Sequence, residues 1–91
     1  MSQSLGDRQR LHAVIDAIAQ APLDPSFPRE RLLLWHELVD AGEPLVALEL
    51  LASNVDEFAI PLPESARFVL REIGDTEGLG QAYLDLLVDP N

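Results

Sequence analysis

The sequence predicts an all-α protein, a compact bundle of four to five short helices in a single domain spanning residues 1–91. Apolar residues recur at intervals of three and four, the period of a helix with one buried face. Prolines and glycines separate these segments, and no stretch alternates with the period of two that is typical of strands. With 47% apolar residues, the chain can bury a modest core.

The first helix is predicted from about Asp7 to Ala21. Ser4 and Asp7 match a capping box, in which two side chains satisfy free backbone N–H groups at the helix start. The apolar residues of this helix share one face: Leu11, Val14, Ile15 and Ile18. Prolines at positions 22, 25 and 28 end the helix and form a stiff connector, because a residue that precedes proline is pushed out of helical conformation.

A helical hairpin is predicted next. Its first helix runs from about Pro28 to Ala41 and is followed by Gly42; its second begins at Pro44 and reaches about Phe58. The apolar arc of the first helix comprises Leu32, Leu34, Trp35, Leu38 and Val39. The broad apolar face of the second comprises Leu45, Leu48, Leu51, Ala52, Val55 and Phe58. As the only tryptophan, on an apolar arc, Trp35 is expected in the core.

Residues 60–63 read as an extended apolar crossover that leads to two further helices. Pro63 is expected to open the fourth helix, which breaks at Gly74, so that Asp75 or Thr76 caps the fifth. The buried positions of the fourth helix are Ala66, Val69, Leu70 and Ile73. Those of the fifth, which stops before Pro90, are Leu79, Ala82, Tyr83, Leu86 and Leu87.

The charge of the chain is lopsided. Its formal net charge is -10, and from Leu32 onward twelve acids face only Arg67 and Arg71. Binding to nucleic acid or to an anionic membrane surface is disfavoured, because both require cations. No apolar run approaches a membrane span and the first ten residues lack an apolar signal core, so a cytoplasmic protein is expected. Without cysteine or lysine, disulfides, thiolate metal sites, Schiff bases and a P-loop are excluded.

The two histidines of the chain are candidate metal ligands. His36-Glu37-Leu38-Val39-Asp40 resembles the HExxH zinc motif with Asp in place of the second His, and His12 precedes Asp16 by the same spacing. Residues at i and i+4 are ordinary neighbours on a helix surface, so we expect two solvated His–Asp pairs and neither metal nor cofactor. A small metal-dependent hydrolase built on these side chains is the least favoured alternative.

Seven acids and no Lys or Arg lie between Leu32 and Ala66, and a negative face calls for a positive partner. Val46 and Leu50 fall opposite the main apolar face of the third helix. Either that helix is central in the bundle, which is the commoner case, or the two residues form the apolar centre of an acid-rimmed interface. Leu33, on the polar side of the second helix, raises the same question. The candidate partner-binding residues are Glu37, Asp40, Glu43, Val46, Glu49, Leu50, Asp56 and Glu57.

The middle of the chain also carries a family pattern. Its elements are Gly42-Glu43, Ala47-Leu48-Glu49 with Leu51, Asp56-Glu57, and Ile60-Pro61-Leu62. With these residues, about Leu32 to Gly74 resembles the Maf-type immunity proteins (MafI) of bacterial polymorphic toxin systems. Related small acidic immunity proteins accompany contact-dependent inhibition toxins. The resemblance implies that the protein neutralises a cognate toxin, often a nuclease, and that Glu43, Glu49 and Glu57 match acids of the family.

Other functions remain as alternatives. A non-enzymatic helical adaptor or scaffold explains the bundle equally well, although it does not call for so strong a negative bias. Catalysis by paired carboxylates, such as Glu49 with Asp56, would need a pocket that raises one pKa, so no catalytic residue is assigned and no enzyme is expected. Arg67 and Arg71 are expected to pair locally with Glu64, Asp75 or acids of the third helix.

Overall fold

The computed structural model describes residues 5–87, and within that range the chain forms five helices. They are α1 (Leu5–Gln20), α2 (Glu30–Asp40), α3 (Pro44–Glu57), α4 (Glu64–Glu77) and α5 (Gln81–Leu86). No strand occurs between residues 5 and 87, which confirms the all-α prediction. Ser4 of the predicted capping box, and Pro90 beyond the last helix, lie outside the described residues.

The core lies between helices that are mostly neighbours in sequence. α1 packs on α2 and α4, while α3 packs on α2, α4 and α5. Trp35 is fully buried and its ring centroid lies 5.9 Å from that of Phe27, so its predicted core position is confirmed. The largest fully buried side chains among the described residues are Leu11, Ile15, Ile18, Trp35, Val39, Leu48, Leu51, Leu70, Ile73 and Leu87. Among the described residues, no helix combines the length and apolar character that crossing a membrane requires.

The connector between α1 and α2 places an aromatic ring in this core. Asp24 accepts hydrogen bonds from the backbone N–H and the hydroxyl of Ser26, and these bonds lower the pKa of Asp24. They close an Asx turn. The turn directs Phe27 inward, where it meets Phe58 edge to face at 5.2 Å. α2 begins at Glu30, two residues after the predicted start, and its first turn is preceded by bonds from the Arg31 and Leu32 N–H groups to the Pro28 and Arg29 carbonyls.

The predicted helix break at Gly74 is wrong, since α4 continues to Glu77. Gly74 is buried, and a Cβ added there would lie 3.0 Å from Leu79 Cδ2 and 3.2 Å from Leu84 Cδ2. The missing side chain thus lets the segment after α4 fold back closely on the helix. Thr76 lies within α4, where its hydroxyl donates to the Glu72 carbonyl, so it does not cap α5.

The helix ends at Gly78, which adopts a left-handed φ of 81°. An L-residue pays roughly 1 kcal/mol or more in this conformation. We therefore expect Gly78→Ala to lower the free energy of unfolding by about 1 kcal/mol, measured by urea denaturation followed through Trp35 fluorescence. Gly78→Asn is the matched variant, because asparagine tolerates the left-handed region better, and its loss should be smaller. Equal losses for the two variants would contradict this explanation.

Candidate partner-binding face

The relative position of α2 and α3 is set by bonds at both ends of their hairpin. At the open end, Arg31 Nη1 donates to Asn54 Oδ1 at 2.6 Å. At the turn, the Glu43 N–H donates to the Leu38 carbonyl at 2.9 Å. The helices are therefore antiparallel, and this register brings Leu34 on α2 opposite Leu50 on α3.

Exposed apolar side chains line this hairpin. Leu34 is 42% exposed, Val46 39% and Leu50 38%, so the prediction that Leu34 is buried is wrong. α3 packs on α2, α4 and α5, in agreement with the commoner explanation that it is the central helix, but its remaining side is open and leaves Val46 and Leu50 at the surface. We call the surface formed by Leu34, Glu37, Val46, Leu50 and Glu57 the hairpin face. The two rows follow helical spacing, 34 and 37 on α2 and 46, 50 and 57 on α3.

The acids at this surface are not neutralised by any cation of the described chain. Glu37 and Glu57 lie on the hairpin face and Glu43 lies in the turn at its end, and all three are exposed. Within residues 5–87, none of the three side chains forms an ion pair. In a less polar surrounding, such as an interface, an unpaired carboxylate attracts a cation more strongly than it does in water.

Four of the six arginines bind other parts of the chain. Arg10 is bound to Asp7 and Glu72, and Arg29 donates to the Ala19 carbonyl at 3.1 Å. Arg31 is held by Asn54 and lies over the Phe58 ring, 5.7 Å from its centroid. Arg67 donates to the Leu62 carbonyl at 2.8 Å. Neither Arg67 nor Arg71 forms an ion pair within the described chain, so the predicted local pairing of these two arginines is wrong.

Three predicted site residues lie off the hairpin face. Glu49 and Asp56 are about a third of a turn around α3 from Leu50, on the flank directed away from α2. Glu49 is half-buried and Asp56 is exposed. Asp40 is at the end of α2 next to α1, where its carboxylate is bound to His12. The eight predicted residues therefore divide into the hairpin face with its turn, the α3 flank, and a contact with α1.

The expected His–Asp pairs within each helix are not formed. His12 Nε2 lies 2.8 Å from Asp40 Oδ1, and His36 Nε2 lies 3.1 Å from Asp16 Oδ1. Each histidine is thus bound to the aspartate of the other helix. Among residues 5–87, no group of three or more His, Cys, Asp or Glu is arranged to hold a metal ion.

Further exposed apolar residues lie outside the predicted site. Leu33 is 62% exposed, and Phe68 on α4 is 61% exposed beside an open groove between α4 and α5. The sequence contained a signal for the exposure of Phe68. On α4 this residue lies about half a turn around the helix from the core positions Ala66 and Leu70. Its exposure marks a second surface of the molecule, separate from the hairpin face.

Comparisons of the chain with protein-family models, with curated proteins and with solved structures found no match.

Proposed function

We propose that this protein is an immunity protein of a bacterial polymorphic toxin system, in which it binds and neutralises a cognate toxin. The toxin is of the nuclease type, and the acidic helical face of the immunity protein occludes its basic active site. The observation that supports this most is the hairpin face: exposed Leu34, Val46 and Leu50, bordered by carboxylates that have no ion-pair partner among residues 5–87.

Charge complementarity supports a nuclease as the target. An enzyme that cleaves nucleic acid must hold phosphates with lysine and arginine, so its active site is a basic cleft. Carboxylates presented on a rigid helical hairpin can occupy the positions of those phosphates. The net charge of -10 also attracts a cationic protein over distances of about a Debye length, roughly 8 Å at physiological salt.

Retention of the toxin requires more than charge. Rim charges mainly raise the association rate, whereas a few desolvated anchors at the centre of an interface determine how slowly the complex dissociates. Leu34, Val46 and Leu50 have the position for such anchors, because the acids surround them. The arrangement matches the usual interface, with an apolar centre inside a charged rim.

Co-expression tests partner and function together. The chain is produced with the C-terminal domain of a toxin encoded by a neighbouring gene, and the complex is isolated through a tag on the toxin. We expect stoichiometric co-purification and survival of cells that die when they express the toxin domain alone. Survival without a physical complex would contradict neutralisation by binding.

The salt dependence of association tests the electrostatic part separately. Because screening shortens the range of the attraction, the association rate constant with the toxin should fall by about tenfold or more between 50 and 500 mM salt. The dissociation rate should change much less. Stopped-flow mixing measures both. An association rate that stays constant across this range would show that long-range attraction plays no part.

The alternative is a non-enzymatic helical adaptor or scaffold module. Phe68 favours it, since this ring is exposed on α4, outside the hairpin face, and toxin occlusion makes no use of it. Phe68→Ser distinguishes the two functions. Toxin protection should be unchanged in this variant if the protein is an immunity protein, whereas an adaptor that docks its partner on α4 would lose that partner.

A further inference from the structure

The contact between α1 and α2 contains a symmetric cluster of four titratable side chains. Each helix contributes a histidine and, one turn later, an aspartate: His12 and Asp16 from α1, His36 and Asp40 from α2. Because the helices are antiparallel, each histidine reaches the aspartate of the opposite helix, at 2.8 Å for His12 and 3.1 Å for His36. Both histidine side chains are about a quarter exposed, 26% and 25%.

The two imidazole rings also contact each other directly. His12 Nδ1 lies 2.6 Å from His36 Nδ1, and the ring planes are 20° apart with centroids separated by 4.8 Å. That centroid separation is close to the nitrogen–nitrogen distance plus the two ring radii. The rings therefore lie edge to edge in nearly one plane, with the two Nδ1 atoms facing each other along the line between the centroids.

This geometry fixes how many protons the pair carries. An ionised carboxylate only accepts hydrogen bonds, so the bonds to Asp16 and Asp40 place a proton on both Nε2 atoms. Two bare Nδ1 lone pairs at 2.6 Å would repel each other, and two Nδ1–H groups would clash. One proton must therefore lie between the two Nδ1 atoms. The pair then carries one positive charge between two carboxylates.

A proton fits this gap and a metal ion does not. Zinc binds histidine nitrogen at about 2.0–2.1 Å, so two nitrogens on a tetrahedral ion would be separated by about 3.3 Å. The observed separation of 2.6 Å lies just below the usual range of about 2.7–3.2 Å for N–H hydrogen bonds, so it leaves room for a hydrogen atom. A metal ion could enter only if the rings moved apart.

We infer that His12 and His36 share a single proton and, with Asp40 and Asp16, form a hydrogen-bonded clasp between α1 and α2. The clasp holds three protons, one on each Nε2 atom and one between the two Nδ1 atoms. Since α2 carries half of the hairpin face, the clasp also fixes the helix on which that face is built. This inference does not depend on the proposed function.

Other charges around the clasp are few. On α1, Arg8 lies one turn before His12, and on α2, Glu37 follows His36 in sequence. α4 packs on α1, where Glu72 is bound to Arg10 and not to a histidine. α3 packs on α2, and within the described chain its three acids form no ion pair with either imidazole: Glu49, Asp56 and Glu57. The aspartates are thus the charged groups that contact the histidines.

A double-mutant cycle tests this inference on the full chain. His12→Gln, His36→Gln and the double variant are unfolded in urea, and the coupling between the two sites is calculated. We expect a coupling of about tenfold in the unfolding equilibrium constant, the size of a charge-assisted hydrogen bond. A coupling close to onefold would overturn the shared proton.

A control cycle examines the crossed pairing. His12→Gln is combined with Asp40→Asn in one cycle and with Asp16→Asn in another. The first pair should be coupled by severalfold at pH 6.5 and the second should not, because His12 contacts Asp40 and not the aspartate on its own helix. The reverse order would overturn the clasp.

Nitrogen NMR of the unmodified protein provides a second test, because it measures the protonation of the imidazole nitrogens directly and does not depend on stability. With ¹⁵N-labelled histidine at pH 6.5, both Nε2 atoms should be protonated and the two Nδ1 atoms should share one proton, with a coupling across the N–H···N bond. Two Nδ1 atoms that titrate independently would overturn the inference. The spectrum is recorded after treatment with EDTA and again with one equivalent of Zn²⁺; displacement of the shared proton at that concentration would identify a metal site instead.

Discussion

Replacing Glu37 and Glu57 by lysine should abolish neutralisation of the toxin and weaken its binding at least 100-fold. Both residues are exposed, lie on the hairpin face and form no ion pair within the described chain. Each substitution replaces an attraction to a basic cleft by a repulsion, and like charges brought together at an interface cost several kcal/mol. The measurements are survival of toxin-expressing cells and the dissociation constant by calorimetry.

The fold of this double variant should be preserved. Neither side chain holds the core together, and Glu57 ends α3, where a lysine is favoured by the helix dipole. Circular dichroism and urea unfolding verify this before binding is interpreted.

The matched control makes the same change of charge on another part of the molecule. Asp75→Lys with Glu77→Lys also adds four positive units, close to the C-terminal end of α4, where lysine suits the helix dipole. This variant should lose part of the association rate but retain protection. Equal loss of protection in the two double variants would mean that net charge alone matters, and the hairpin face would not be the binding site.

A third variant separates the two groups of predicted acids. Glu49 and Asp56 lie on the flank of α3 directed away from α2, so Glu49→Lys with Asp56→Lys should impair neutralisation less than the hairpin-face variant does. If the flank variant is the more damaging of the two, the toxin contacts the other side of α3. The comparison thus maps the binding surface on a single helix.

Helical periodicity was sufficient to predict most of the fold. The spacing of Leu11, Ile15 and Ile18, and the prolines between segments, define the helices because one-sided burial is the main source of their stability. The error at Gly74 has a physical origin. Glycine is disfavoured inside a helix, yet here Leu79 and Leu84 pack against the space that a side chain would fill. Sequence cannot reveal that contact, because it depends on where the chain returns.

The candidate site was predictable only in part. The excess of acids in the middle of the chain was plain from composition, and Val46 and Leu50 were recognised as lying off the main apolar face. Their exposure could not be decided, since a helix that is apolar nearly all round suits the centre of a bundle as well as an interface. Leu34 is exposed although its place on the apolar arc of α2 predicts burial. It lies at the border of that arc, and whether a border position is buried depends on the neighbouring helix.

The histidine clasp illustrates a different limit. The repeated His-x-x-x-Asp spacing was visible, and within one helix it predicts local pairs. The crossed arrangement forms instead, because the antiparallel helices bring His12 and His36 together. Each histidine then contacts the aspartate of the opposite helix. Only the register between α1 and α2 distinguishes the two, and that register is set by the core.

Trp35→Ala should have the largest effect on stability. The side chain is completely buried, and removing a ring of this size from a packed core costs about 3 to 5 kcal/mol. For a domain of this length, that loss lowers the melting temperature by about 15 °C or more. Thermal unfolding followed by circular dichroism measures it, since the variant has no tryptophan fluorescence. An unchanged melting temperature would contradict the central position of Trp35 in the core.

Trp35→Phe is the matched variant, and it isolates the indole nitrogen. Among the described residues, no acceptor lies within hydrogen-bonding distance of Trp35 Nε1, which is buried. A buried N–H without a partner costs about 1 to 3 kcal/mol, so phenylalanine removes this cost while it retains most of the ring contact with Phe27. Its loss should therefore be less than half that of Trp35→Ala. Equal losses would show that the indole N–H contributes a favourable interaction, and that Trp35 serves the core through more than its volume.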